Sequence, residues 1–419
     1  MQKTRSASDK KSFLFLQGVC SPFFLRLANK LASTGHQVHK LHFTMGDALY
    51  WRNRPAYSSH SFRSAPEHLP SFLKEKYQQW GITDQVLFGD RRPVHLPAIA
   101  QARQQGVHTH VFEEGYFRPH WVTLERDGVN AHSSLPKDPD WYRDTGRQFT
   151  DDFANVQPFS SSFAIRAAHD VLYHAGNALN PVAYPGYRTH ASCNAIVDYA
   201  GHIRRLALSH QWKKRDSHSI EELIASSIPY YFLPLQLNSD AQIRDHSSFD
   251  GMHDVVAYVM ESFAKHASGD ALLVIKNHPL DGGLVNYPRM ICELEKRYAI
   301  PGRTLYLETG DLTNVLRHAK GTITVNSTVG AVALELGCPT ITLSDPVYNL
   351  AGLTFRGHLD AFWRSAQKPD SSLFRCFRNT VIHTTQVNGG FYSAQGIALA
   401  VDNSARMMES ERSLLQELL

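Results

Sequence analysis

The stretch from Leu272 to Leu343 narrows this chain to one class of fold. An apolar run, Leu272-Leu273-Val274-Ile275, passes straight into Lys276-Asn277-His278-Pro279. A second, Thr322-Ile323-Thr324-Val325, passes into Asn326-Ser327-Thr328-Val329-Gly330, and the helical pattern Ala331 to Leu336 then ends at Gly337. Short strand-like runs alternating with helix-spaced runs predict a parallel sheet covered by helices. In open sheets of that kind ligands bind beyond the carboxyl ends of the strands, where both polar clusters fall. Hydroxyls at a helix N-terminus cradle an anion. A lysine and an imidazole on a neighbouring strand end suit the same anion, so the stretch reads as a phosphate or nucleotide site.

The first third repeats the rhythm. Phe13 to Gln17, Gln37 to Phe43, Gln85 to Phe88 and Thr109 to Phe112 read as strands. Phe23 to Ala32, Pro66 to Trp80 and Val94 to Gln105 read as helices, with Pro22 placed to start the first. A hairpin is expected over Val122 to Asn130, turning at Asp127-Gly128, and a loop over residues 133 to 158. Two long helices follow, about Ser160 to Leu179 and Asn194 to Gln211. The charged run Lys213 to Ser219 reads as a hinge. A second α/β unit starts at Tyr230, and a final helix is expected near Ser404 to Leu418.

With 419 residues the chain is too long for one ordinary core. The expected organisation is α/β and GT-B-like, with two Rossmann-like doubly wound domains facing a central cleft. The N-terminal domain covers 1–215 and the C-terminal domain 216–360. Residues 361–419 form a helical tail, with packing back on the first domain as one option. Binding proteins and epimerases share this rhythm, so motifs must separate them.

A net charge of +4 is too small to argue for nucleic acid. It fits an anionic small substrate or an acidic membrane surface. Five cysteines without a C-x-x-C framework suit a reducing compartment. Phe13 to Gln17 is too short for a signal-peptide core, and no apolar run reaches about 18 residues. The expected place is the cytoplasm, peripheral to the inner membrane. Lys10, Lys11 and the region Arg52 to Arg63, with Tyr57 and Phe62, are the candidate lipid contacts. The 23 histidines include His36, His39 and His42, but on a strand His39 points away from the other two. No metal site is expected.

Glu113-Glu114-Gly115 follows a predicted strand, which points carboxylates toward a ligand. Arg118 lies just beyond, and Asp90-Arg91-Arg92 follows the preceding strand. A carboxylate kept ionised by an arginine serves as nucleophile or as partner to an oxocarbenium ion; a solvated structural ion pair is the alternative. Pro279 biases His278 to an extended conformation, where it could act on a leaving phosphate. Ser327 or Thr328 is either a plain helix cap or a cap that also binds anion, with Gly330 giving room. Glu335 is a candidate for a ribose hydroxyl. Asp138-Pro139-Asp140 is a weak match to a metal-binding D-x-D, and no dinucleotide or P-loop fingerprint is present.

Taken together, four stretches resemble the capsule polysaccharide biosynthesis/export family, specifically its KpsS-type β-Kdo transferases. They are Leu16-Gln17-Gly18 with Pro22-Phe23-Phe24; Gly89-Asp90-Arg91-Arg92-Pro93; Phe112-Glu113-Glu114-Gly115-Tyr116 with Arg118-Pro119; and the Lys276–Pro279 and Asn326–Gly330 pair. The resemblance implies a retaining transferase that moves Kdo from CMP-Kdo to a phosphatidylglycerol-type lipid and needs no cofactor. It also implies a place beside a capsule assembly or export complex. In related enzymes the acidic motif often reads Glu-Asp-Gly, with the second acid as nucleophile. That position is Glu114, and Glu113 stays open as the alternative. The resemblance places the CMP phosphate on His278, Ser327 and Thr328, with Lys276 and Asn326 beside them. On the chemistry of the donor, Arg118 or Arg92 is the candidate partner of the sugar carboxylate, and Gly18 is a further candidate binding residue. A non-catalytic export factor, or a transferase using CMP-sialic acid or another nucleotide sugar, are the competing readings.

Overall fold

A computed structural model describes residues 10–51, 58–149, 156–160, 162–187, 195–237 and 249–419, with backbone alone for 195–200, 202–204 and 206. The strands are, in chain order, β1 (Ser12–Phe15), β2 (Gln37–His42), β3 (Ser58–Ser61), β4 (Asp84–Phe88), β5 (His108–Glu114) and β6 (Trp121–Arg126). Then come β7 (Tyr230–Pro234), β8 (Leu272–Lys276), β9 (Thr304–Leu307), β10 (Gly321–Thr324), β11 (Thr340–Thr342) and β12 (Gln386–Asn388). The chain divides into two compact units. One holds residues 1–135, 150–190 and 380–419; the other holds 136–149 and 191–379.

The first unit is built on a seven-stranded sheet ordered β12-β6-β5-β4-β1-β2-β3. β1 to β5 run parallel, β6 returns antiparallel to β5, and β12 is antiparallel to β6. β1 is buried on both faces, as a central parallel strand must be. Its alternate side chains go opposite ways. Phe13 and Phe15 join Phe23, Leu27, Phe112 and Ile397 on one side. Leu14 and Leu16 join Leu41, Leu73 and Val111 on the other. The helix Phe23–Ser33 buries Phe23, Phe24, Leu27, Ala28 and Leu31 at 3-to-4-residue spacing.

The second unit has five parallel strands in the order β11-β10-β7-β8-β9. Tyr231 and Leu233 of β7 meet Val255, Val259 and Phe263 of the helix Met252–His266. Tyr230 and Phe232 meet Val274, Val315 and Ala333 on the opposite face. In both sheets the first strand is central, and the strand order reverses beside it. Those reversals lie between β1 and β4 in one sheet and between β7 and β10 in the other. This is the doubly wound topology, and the reversal is where such sheets open toward a ligand.

Several expectations give way to other arrangements. The β5–β6 hairpin turns at residues 115–120, not at Asp127-Gly128. A Cβ on Gly115 would stand 2.2 Å from the Trp121 carbonyl oxygen, so only glycine lets the strands cross there. Asp127, with φ 67°, instead ends β6. The expected hinge at Lys213–Ser219 lies inside one helix, Ala195–Ala225. Lys213, Lys214 and Arg215 are the solvent side of a helix that buries Asp216, Ile220 and Leu223. Residues 133–158 contain a helix, Pro139–Gly146, in which Asp138 caps the Asp140 N–H and Pro139 opens the first turn. The Asp138-Pro139-Asp140 run is therefore a helix start.

The domain limits also differ from 1–215, 216–360 and 361–419. Residues 136–149 belong with the second unit, and the tail divides inside the helix Ser371–Thr385. β12 joins the first sheet, where Gln386 accepts from the Tyr116 N–H and donates to Thr123 Oγ1. Among the proposed lipid contacts, Lys11 Nζ is spent on the Met408 and Ser410 carbonyls, and Phe62 is buried. Arg52 to Tyr57 lie outside the described residues.

Candidate functional site

In the first unit the loops after β1 and β4 meet at the strand-order reversal. Arg92 Nη1 donates to the Gly18 carbonyl at 2.9 Å, with its guanidinium 5.3 Å from the Phe88 ring centre. Gly18 admits no side chain, because a Cβ would lie 2.6 Å from the Phe24 ring. The next strand end carries the two acids. Glu113 turns back on its own loop and accepts the Glu114 N–H at 2.9 Å. Glu114 faces Arg166, whose Nη1 is 3.3 Å from Oε1. That oxygen is sealed from water and makes no hydrogen bond among the described residues. Arg166 lies over the Tyr392 ring at 4.9 Å. Arg118, the arginine expected near the carboxylate, is exposed in the hairpin turn; Arg166 on the helix Phe163–Asn177 takes that place.

In the second unit the reversal is bridged by a side chain the sequence did not single out. Gln236, just past β7, donates to Asn326 Oδ1 at 3.0 Å and accepts the Asn326 N–H at 3.3 Å. Ser327 caps the helix Thr328–Glu335, its Oγ accepting the Val329 N–H at 3.2 Å. A serine hydroxyl that accepts one bond still has its proton to give a ligand, so capping and anion binding are compatible here. Thr328 is the first helical residue. Gly330 gives room to a tyrosine and not to a ligand: a Cβ there would stand 2.2 Å from Tyr348 Oη, which donates to the Ser327 carbonyl.

Lys276 ends β8 nearly buried, with Nζ 3.5 Å from the Asn277 carbonyl. Burial pulls its pKa below the ordinary lysine value; Asp216 and Glu308 work against that, and Arg205 adds to it. Asn277 fixes the following loop. It donates to Glu308 and Asp281 at 3.0 and 3.2 Å and accepts the His278 N–H at 2.8 Å. Glu308 is itself held by Arg205 at 2.8 Å. The Leu280 N–H donates to His278 Nδ1 at 3.1 Å. That bond puts the proton of the neutral ring on Nε2, the form able to donate. β8 and β10 flank β7, so the His278 and Asn326 ends are about 10 Å apart, two strand spacings. Glu335 is not brought to this group. It is the last residue of its helix and pairs with Arg378 at 2.8 Å.

Arg166, Gln236, Arg205 and Glu308 were not legible as site residues. The only available signal was Arg166, a cation among the apolar residues that open its helix. Among the described residues no group of histidine, cysteine or acid side chains could hold a metal ion. His39 stacks on Trp80 and His42 bonds Ser59. No helix among them is long and apolar enough to cross a membrane.

Comparison with known proteins adds to this geometry. Residues 77–392 match the model of the capsule polysaccharide biosynthesis protein family. The chain is 35% identical over 383 residues to the capsule polysaccharide export protein KpsS of Escherichia coli, covering 91% of this chain and 97% of that one. It is also 35% identical over 395 residues to the capsule polysaccharide modification protein LipB of Neisseria meningitidis serogroup B, covering 91% and 92%. Among solved structures, the Thermosulfurimonas dismutans KpsC β-Kdo 2,7 transferase aligns at a TM-score of 0.43 and 13% identity, covering 95% of this chain and all of that chain. On the extent of the family match and of its relatives, the chain belongs to the capsule polysaccharide biosynthesis protein family.

Proposed function

We propose that this member of the capsule family is a retaining β-Kdo transferase. It takes Kdo from CMP-Kdo and places it on a phosphatidylglycerol-type lipid at the inner face of the membrane, starting the linker for capsule. The observation that carries the reading is Glu114. It is a carboxylate at a strand's carboxyl end, with one oxygen shielded from water, facing Arg166 and without a hydrogen bond among the described residues. Such a group can attack an anomeric carbon as CMP departs. The C–O bond to phosphate breaks and its electron pair leaves with CMP. A glycosyl–carboxylate bond forms, and the acceptor hydroxyl then displaces the carboxylate while losing its proton to solvent. Two inversions restore the original anomer.

In this reading Ser327, Thr328 and the His278 Nε2–H hold the departing phosphate, with Lys276 as a buried positive charge behind them. Gln236 and Asn326 shape the loop. Arg92, beside the Gly18 loop, is the candidate for the sugar carboxylate. No metal and no cofactor is invoked.

Incubation with CMP-Kdo and a fluorescent phosphatidylglycerol analogue should give a product heavier by one Kdo. Glu114→Gln should abolish transfer and leave CMP binding within about twofold, since the amide keeps the shape and loses the nucleophile. Near-normal turnover by that variant would sink the assignment. An export role without catalysis is favoured by one finding, the name of the Escherichia coli relative. Release of CMP from CMP-Kdo by the purified protein excludes it.

A further inference from the structure

The helix Phe163–Asn177 and the turn of helix Asn180–Ala183 are inside out. Most of their polar side chains face the protein, and Asp170 and His174 pair half-exposed at the edge. The Tyr173 hydroxyl meets Gln17, Thr44 and Asp47; Asn177 and Asn180 accept the Gly46 and Met45 N–H groups; His169 meets the Tyr50 hydroxyl. Arg166, on the same helix, faces Glu114. Every exposed residue from Phe163 to Val182 is apolar. Phe163, Ile165, Val171, Leu172, Leu179 and Val182 stand out from intervening alanines, with Phe163 64% and Val182 89% exposed. A helix lying against a water-soluble core presents the reverse pattern. A contiguous apolar face of this length marks a surface that something covers.

We propose that this face docks on an anionic phospholipid bilayer. Two observations choose lipid over protein. The exposed residues of the face carry no hydrogen-bonding side chain, the half-exposed Asp170–His174 pair standing at its edge, whereas a protein interface needs about one hydrogen bond per 100–200 Å². Hydrocarbon needs none. A cation also stands at the end of the face. Arg63 is exposed and lies over the Tyr184 ring at 5.8 Å, one residue beyond the second helix. An apolar face with an exposed cation at its rim is the pattern of a helix lying in the headgroup boundary. The inference deepens the proposed function by naming the surface that meets the acceptor's bilayer. The helix that holds Arg166 on Glu114 is then also the helix that touches lipid.

Flotation with phosphatidylcholine vesicles, with and without phosphatidylglycerol, tests it on the full chain. The wild type should float with the mixed vesicles. Leu172→Ser/Leu179→Ser/Val182→Ser, all exposed positions, should bind at least tenfold less, and Arg63→Gln about fivefold less on anionic vesicles only. Sedimentation of both proteins without lipid is the control. Wild-type protein that stays in solution with vesicles, or a triple variant that floats like wild type, overturns the proposal. So does a wild-type dimer that the triple variant splits, since the face then meets a second copy. Kdo transfer to a short-chain, monomeric acceptor should be unchanged in the triple variant and lost only on vesicles. If neither protein transfers Kdo but the flotation difference stands, the docking surface survives and the enzymatic reading falls.

Discussion

Glu114 Oε1 is closed to water and faces a guanidinium 3.3 Å away, with no hydrogen bond among the described residues. Arg166 is held against that oxygen by stacking on Tyr392. In the proposed reaction its charge would stabilise the carboxylate before attack and again as it leaves the glycosyl intermediate. Arg166→Met should therefore lower kcat about 100-fold, the scale for losing one preorganised charged partner. The KM for CMP-Kdo should move little, and Arg166→Lys should recover part of the loss. A change confined to KM would make Arg166 a binding residue. The acids were legible because a strand end followed by glycine fixes their direction. Their arginine was not, because no local pattern says which turn of a distant helix will lie over a given strand end. The sequence favoured Arg118 by proximity, yet the β5–β6 hairpin carries it outward.

At the scale of elements, most strands were legible, and their order in each sheet came from the structure. Continuous apolar runs buried on both faces can only be central parallel strands, and β1, β7 and β8 carry that signature. The three-residue β12 has no periodicity to read; its register with β6 is set by contacts between residues far apart in sequence. The hinge expected at Lys213–Ser219 failed because a charged run is also the solvent face of a helix. The cap at Ser327 was read as a motif, but its support was not. Tyr348 sits in the gap that Gly330 leaves and bonds the Ser327 carbonyl. Gly330→Ala should cost about 1–3 kcal/mol by overpacking, and Ser327→Ala about 1 kcal/mol through the lost cap. Adding Tyr348→Ala to Gly330→Ala should cost less than the two single losses summed, because the clash is gone. Strict additivity in urea midpoints would mean the tyrosine does not seat on the glycine.

At the scale of the whole chain, the first unit is tied together at the strand ends opposite the acidic loop. Lys11 reaches Met408 and Ser410, Arg126 reaches Ser410, and Asp84 bonds His110 at 2.7 Å. Near this cluster Glu125 is buried, accepting from the Tyr116 hydroxyl at 2.7 Å and from Ser133. Burial pushes its pKa up to about 7, and the two hydroxyls offset only part of that push. The unfolded chain has Glu125 near 4.3. A raised folded-state value means the stability from the protonated acid is complete below that and is lost as pH rises through about 7. Asp84 behaves oppositely. Burial alone would raise it, but the His110 bond and charge and Lys11 bring it to about 2. Its contribution is present above about 4 and fails only in stronger acid. His110 is lowered to about 4 by burial and Arg126, so its contribution fades as pH falls from about 6.5. Glu125→Gln removes one of these three titrations and keeps the other two. The stability of wild type minus variant should then fall by about 1.4 kcal/mol per pH unit between about pH 4.5 and 7, and level off above. Urea midpoints at about pH 5 and pH 8 read that difference directly, with the Asp84 and His110 terms common to both proteins. A difference that stays constant across the range would mean Glu125 is ionised in the folded chain and its two hydroxyl partners carry the site alone.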